Sequence, residues 1–218
     1  QLLLPPGDHE RRKSLRASAV RLMRSPRAAE LMCDVVARAE SHGLVFTAEE
    51  SWRVLLRATA WGVAPELLAQ VRTAAEAKGE ADYARYFALS IEAATCGAER
   101  VAELGEQLMA PGNTLSYVEA NYIVEGLNHE ALPEERSAAL LDRLAERFPQ
   151  IVRAQSSSMW KGLIGLFYAC RDPARTLERI RGVLPCLPEE EKAAVRELRK
   201  RVADLERSLR VHAAFFPA

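Results

Sequence analysis

The sequence predicts an all-α protein, on three observations. Of its 218 residues, 36 are Ala, against 6 Phe, 5 Tyr and 3 Trp, and such a chain favours helices while lacking the residues that strands use. Helix start and stop signals recur along its whole length, and no convincing strand pattern interrupts them. The segments between them are only a few residues long, so consecutive helices are expected to pack as antiparallel hairpins. Hydrophobic residues make up 49% and charged residues 28%, with 11 Gly and 11 Pro. That balance supports a continuous core and excludes collagenous, low-complexity and disulfide-stapled classes.

The elements follow in order. A first helix is expected over 14–24, with Leu15, Ala19 and Leu22 apolar. Ser25-Pro26 opens a second, to 42, where Gly43 can take a left-handed cap. Thr47-Ala48-Glu49-Glu50 reads as a capping box ahead of a helix that Gly62 closes. Pro65 starts a helix that closes near Gly79. Helices over 83–96, 98–110, 115–127, 133–148, 158–170 and 173–184 follow, the last with Asp172 as cap and Pro173 at the first helical position. Leu140, Leu141, Leu144 and Phe148 are the clearest core stripe. The tail over 189–216 differs: Val195, Leu198, Val202, Leu205, Leu209, His212 and Phe216 form a seam in alternating steps of 3 and 4. It suits a long helix capping the last repeat, or a coiled-coil contact with another chain.

Charge and chemistry narrow the function. The 30 basic and 30 acidic side chains cancel, but not locally. Residues 1–27 hold 7 basic and 2 acidic groups, 28–150 hold 10 and 20, and 151–218 hold 13 and 8. The acidic centre is a poor place for a phosphate backbone, whereas either end suits one. Cys33, Cys96, Cys170 and Cys186 lie far apart, as do His9, His42, His129 and His212, so neither a metal site nor a redox pair is expected. The longest apolar run, 162–170, falls short of the roughly 20 residues of a membrane span. No phosphate loop, nucleophile elbow or paired metal-binding His is present. The Ser156-Ser157-Ser158 run reads as a turn and cap. No enzyme activity, cofactor, small-molecule substrate or membrane contact is expected.

An aromatic register repeats. Trp52-Arg53-Val54-Leu55-Leu56, Tyr86-Phe87-Ala88-Leu89, Ala120-Asn121-Tyr122-Ile123-Val124 and Trp160-Lys161-Gly162-Leu163-Ile164 recur at offsets of 34, 34 and 40. Gly43, Gly79 and Gly112 recur at 36 and 33. A helical-hairpin period near 34 or 35 admits tetratricopeptide and pentatricopeptide repeats. The segment over 51–82 opens on an aromatic, continues with a Leu-Leu pair, turns at Gly62 and closes at Lys78-Gly79 before an acidic residue. It resembles a pentatricopeptide repeat, and 82–112, 116–148 and 158–184 resemble further copies. The resemblance covers about four-fifths of the chain.

That resemblance implies an α-solenoid of about four to five antiparallel hairpins. It divides the chain into a basic extension and first helix over 1–25, the repeats over 26–186 and a long C-terminal helix over 187–218. In the family, the residue after the helix A aromatic reads a base edge together with the last residue of the repeat. The matching positions are Arg53, Phe87, Asn121 and Lys161, and Asn121 alone suits that code. The expected function is therefore a non-catalytic scaffold subunit of a large organellar ribonucleoprotein, a mitochondrial ribosome first. Protein subunits would meet its repeats, and RNA would meet its basic ends. The alternatives are a single-stranded RNA-binding factor and an adaptor in a complex without RNA. Candidate RNA-binding residues are Arg11, Arg12, Lys13, Arg16, Arg21, Arg24 and Asn121, with Arg196, Arg199 and Lys200 at the other end. Arg201, Arg207 and Arg210 extend the second cluster. The Arg-rich, acid-poor start also resembles an organelle transit segment, which implies a mitochondrial address.

Overall fold

The computed structural model describes residues 9–39, 45–168 and 172–215. Its helices are α1 (His9–Arg21), α2 (Pro26–Ala37), α3 (Ala48–Ala60), α4 (Pro65–Glu76), α5 (Ala81–Thr95), α6 (Ala98–Met109), α7 (Tyr117–Leu127), α8 (Glu134–Ala154), α9 (Ser157–Ile164), α10 (Pro173–Val183) and α11 (Lys192–Phe215). Short 3-10 turns follow α9 (Gly165–Tyr168) and α10 (Leu184–Cys186). The described residues contain no strand, so the all-α expectation holds. The chain forms two compact units, Gln1–Ile91 and Glu92–Ala218.

In the first unit α1 packs on α3, and α2 packs on both α3 and α4. The capping box read from the sequence is present: the Thr47 hydroxyl accepts from the Glu50 N–H at 3.1 Å, and the Glu50 carboxylate accepts from the Thr47 N–H at 2.8 Å. Trp52 stacks on Phe87 with ring centroids 6.3 Å apart, and the Trp61 indole N–H donates to the Met23 carbonyl at 3.2 Å. Gly62 and Gly79 have φ of +71° and +74°, the left-handed conformation that only Gly adopts without a steric penalty.

The second unit repeats one packing rule: α6 meets α7 and α8, α8 meets α9 and α10, α7 meets α9, and α11 meets α9 and α10. Its core is the expected α8 stripe, with Leu140, Leu141, Leu144 and Phe148 all buried. Phe148 meets Phe167 edge-on at 5.6 Å. An ion-pair device joins alternate helices. Glu106 on α6 accepts from Arg143 and Arg147 of α8. Asp142 on α8 accepts from Arg175 and Arg179 of α10, both at 2.7 Å. The acids are 36 residues apart and the Arg pairs 32.

Several boundaries and faces differ from the sequence expectation. Helix α1 begins at His9 rather than 14, and its buried side is Val20, followed by Met23 in the next turn; Leu15 and Leu22 are exposed. Helix α2 stops at Ala37, where the Arg38 N–H donates to the Asp34 carbonyl and the Ala39 N–H to the Val36 carbonyl; the expected Gly43 cap lies outside the described residues. Helix α7 starts two residues later, at Tyr117, because Ser116 and Glu119 make a capping box that sets Ser116 as the cap. Helix α8 runs six residues beyond Phe148 with Pro149 inside it. Proline in a helix interior costs about 3 kcal/mol, and burial of Phe148, Ile151 and Val152 around it offsets that, at about 1.5–3 kcal/mol per large apolar side chain.

Helix α9 ends at Ile164, short of 170. The Asn128 amide donates to the Gly165 carbonyl at 2.9 Å, taking an acceptor that a continuing α-helix would use internally. In α11 the buried face is Ala194, Leu198, Arg201 and Leu205. The heptad seam survives only at Leu198 and Leu205; Val195, Val202 and Leu209 flank it half-buried. A straight helix resting on α10 keeps a 3.6-residue period rather than 3.5, and the apolar stem of Arg201 packs where a heptad would place Val202. The His212 side chain and Phe216 lie outside the described residues.

Burial also resets the repeat register. Phe87 is fully buried and stacked on Trp52, while Tyr86 is only half-buried. Trp52, Phe87, Ala120 and Trp160 are the buried positions at or next to the expected aromatic register, all at most 4% exposed. The second offset point therefore moves by one residue, from Tyr86 to Phe87.

Candidate nucleic-acid interface

With the register corrected, the positions after the core residues are Arg53, Ala88, Asn121 and Lys161. Phe87 leaves the set because it is core. Arg53 is tied to Glu49 at 3.0 Å and lies over the Phe87 ring. Ala88 has no hydrogen-bonding side chain. Asn121 is half-buried against α9, so close that a Cβ on Gly162 would sit 2.7 Å from its Oδ1. Lys161 is exposed and lies beside the Trp160 ring. Four different environments do not form a row of base-reading groups. Near α3, a cavity of about 500 Å³ is lined by Ala17, Val20, Glu49, Glu50, Glu80 and Tyr83 among others. Glu49 and Glu50 already hold Arg53 and Arg16.

At the N-terminal end the candidates separate. The Arg16 guanidinium lies 3.3 Å from Glu50 and over the Phe46 ring, with its side chain 16% exposed. It is part of the packing between α1 and α3. Arg24 is exposed in the turn after α1. The side chains of Arg11, Arg12, Lys13 and Arg21 lie outside the described residues.

Helix α11 gathers its cations instead. Lys192, Arg196, Lys200, Ala203, Arg207 and Arg210 follow one another in steps of 4, 4, 3, 4 and 3, which keeps them on one face. All are exposed, with Arg199 beside them. This face is diametrically opposite the buried Ala194, Leu198, Arg201 and Leu205, and no acidic residue falls on it. At 1.5 Å per residue it runs for about 27 Å. Glu197 borders it, held below the usual carboxylate range first by a hydrogen bond from Lys200, at 3.1 Å. Arg201, grouped with these residues by sequence, belongs to the core side. The sequence signal that separates them is the two-residue phase shift between the cationic and apolar stripes.

The described residues hold no cluster of three or more His, Cys, Asp or Glu able to bind a metal, and no helix long and apolar enough to cross a membrane. Burial, with Glu30 adding to it, pushes the Cys33 thiol up to about 11. Burial and then Glu92 push Cys96 up as well. Cys186 is exposed. Thiol reagents at neutral pH are therefore expected to label Cys186 before Cys33, and Cys33 only as fast as the fold opens. Because the folded Cys33 holds its proton to higher pH than the unfolded thiol, near 9.0, its contribution is present below that value and is lost as pH rises to about 11. Urea melts of the protein and of Cys33→Ala across that window check this; equal alkaline slopes would refute it.

No protein-family model, no curated protein and no solved structure matches this chain.

Proposed function

We propose that the protein is a non-catalytic helical-repeat scaffold subunit of a large organellar ribonucleoprotein. The assembly to test first is the mitochondrial ribosome. In this reading the helices of each unit are stacked hairpins of pentatricopeptide-like ancestry, an α-solenoid with α11 as its terminal cap. Packing between elements one and two apart supports that ancestry, as does the Glu/Asp-to-Arg-pair device recurring at 32 to 36 residues. Protein subunits meet the repeats, and RNA meets the ends through phosphates rather than bases.

The observation that carries the RNA contact is the acid-free cationic face of α11. Cations spaced along about 27 Å suit a phosphate backbone. The absence of a base-reading row at Arg53, Ala88, Asn121 and Lys161 makes the contact indifferent to sequence. Arg24 joins this set at the other end, with Arg11, Arg12, Lys13 and Arg21 by charge alone. Binding to single-stranded homopolymer RNA is expected to be weak and sequence-tolerant. Replacing Arg196, Lys200, Arg207 and Arg210 by Gln removes four phosphate contacts. The slope of log affinity against log salt should then fall by roughly 3, at about 0.7 per contact. An unchanged slope, or nanomolar base-specific binding by the parent, would overturn the reading. Co-sedimentation of the native protein with ribosomal subunits tests the choice of assembly.

A further inference from the structure

The outward cations of α11 differ from the Arg residues that pack the rest of the second unit. Arg143, Arg147, Arg175, Arg179 and Arg181 all sit in ion pairs that join one helix to another. On the outer face of α11, Arg196 and Lys200 share Glu197, at 3.6 and 3.1 Å. No described acidic residue lies within ion-pair reach of Lys192, Arg199, Arg207 or Arg210. Those four exposed cations are open to an anion from outside the chain. Their spacing is the second observation. Lys192, Arg196, Arg199 and Lys200 form one cluster, and Arg207 and Arg210 form another. Between Lys200 and Arg207, about 10 Å along the axis, the face carries only Ala203, with Asp204 and Glu206 on its two flanks. Glu206 is half-buried and holds Arg181 at 2.7 Å, whereas Asp204 is exposed. A phosphate is therefore favoured at either cluster and disfavoured over the gap. Aromatic side chains are missing as well. Residues 192–214 contain no Trp, Tyr or Phe, α10 has none, and Trp160 of the adjoining α9 is 2% exposed.

We propose that α11 docks double-helical RNA, lying across a groove so that its two cation clusters meet the phosphates of opposite strands. A groove carries phosphates on two walls and none on the line between them, which is the pattern of this face. A single strand following the same line would bring phosphates past Ala203, between Asp204 and Glu206. It would also lose chain freedom along a straight rod, with no aromatic platform on which to stack its bases. Duplex RNA is already stiff, and it is recognised by shape and phosphate contacts rather than by base edges. This inference rests on the phosphate-contact reading of α11 and adds the form of RNA that the face takes.

The probe is a labelled RNA duplex of about 16 base pairs, the span of a known duplex-reading module, titrated with the full chain by fluorescence anisotropy. A single strand with the same number of phosphates, at the same salt, serves as the contrast. The duplex should bind about tenfold tighter, and stripping either cluster should bring the two RNAs to within about threefold of each other, because one wall of the groove is then unheld. The variants are Arg196→Gln/Arg199→Gln/Lys200→Gln and Arg207→Gln/Arg210→Gln. All five side chains are exposed, and an unchanged helical spectrum verifies the fold of each variant. A row of independent phosphate contacts would instead weaken both RNAs by one factor and keep their ratio. Groove docking falls if the parent binds the single strand as tightly as the duplex, a result that needs no variant. It falls equally if the two cluster variants leave the ratio unchanged. In either case, a salt slope that still drops when Arg196, Lys200, Arg207 and Arg210 all become Gln leaves the phosphate reading standing. Absence of binding to both RNAs removes the two together.

Discussion

Leu141→Ala is expected to destabilise the second unit by about 2 to 5 kcal/mol, the range for a fully buried Leu. Leu141 is 0% exposed, on a helix that packs against α6 on one side and α10 on the other. Truncation removes the apolar transfer term and leaves a void that three helices must share. Interiors are packed too tightly to collapse onto it completely. Gln150→Ala on the same helix would have no such effect, because α8 turns that position to solvent. Urea unfolding followed by circular dichroism checks the loss. A shift within about half a kcal/mol, the ordinary scatter of surface substitutions, would show that this stripe is not core.

The second large effect is expected at Glu50, where one carboxylate serves two purposes. It accepts from the Thr47 N–H and so completes the cap of α3, and it faces Arg16 of α1 across a partly enclosed contact in which its own side chain is 12% exposed. Glu50→Ala should cost about 2 to 4 kcal/mol. Roughly 1 comes from the cap, and the rest from leaving the Arg16 guanidinium largely desolvated beside Phe46 without its carboxylate. Glu50→Gln keeps the cap bond but not the charge and should cost less than Glu50→Ala. Thr47→Ala removes the other half of the cap, leaves Arg16 paired and should cost about 1 kcal/mol. If Thr47→Ala and Glu50→Ala destabilise equally, the contact between α1 and α3 contributes nothing beyond the cap.

Arg16 also marks the limit of charge counting. By composition it belongs with the neighbouring Arg residues as a phosphate ligand, and nothing in its flanking residues distinguishes it. Its fate was decided 34 positions away, at Glu50. Arg201 is the same case in α11: the helix carries seven cations, but the phase of Ala194, Leu198 and Leu205 sends Arg201 inward and the others outward. That phase was legible in the sequence, because 3.6-residue periodicity places residues two apart on opposite faces.

What the sequence determined by itself were the local events: the helical class, the caps at Thr47, Asp172 and Ser156, the left-handed turns at Gly62, Gly79 and Gly112, and the α8 core stripe. Each depends on a hydrogen bond or a steric preference within about four residues, so the neighbouring letters suffice. Tertiary structure alone decided where helices yield to their neighbours. Pro149 stays helical because Phe148, Ile151 and Val152 are buried around it, and α9 stops because Asn128, 37 residues earlier, takes the Gly165 carbonyl. Phe87 rather than Tyr86 is the buried aromatic of α5 because Trp52 offers it a stacking partner. These are contacts between residues far apart in the chain, and their energies of a few kcal/mol outweigh the fractions of a kcal/mol by which local propensity separates one boundary or register from the next.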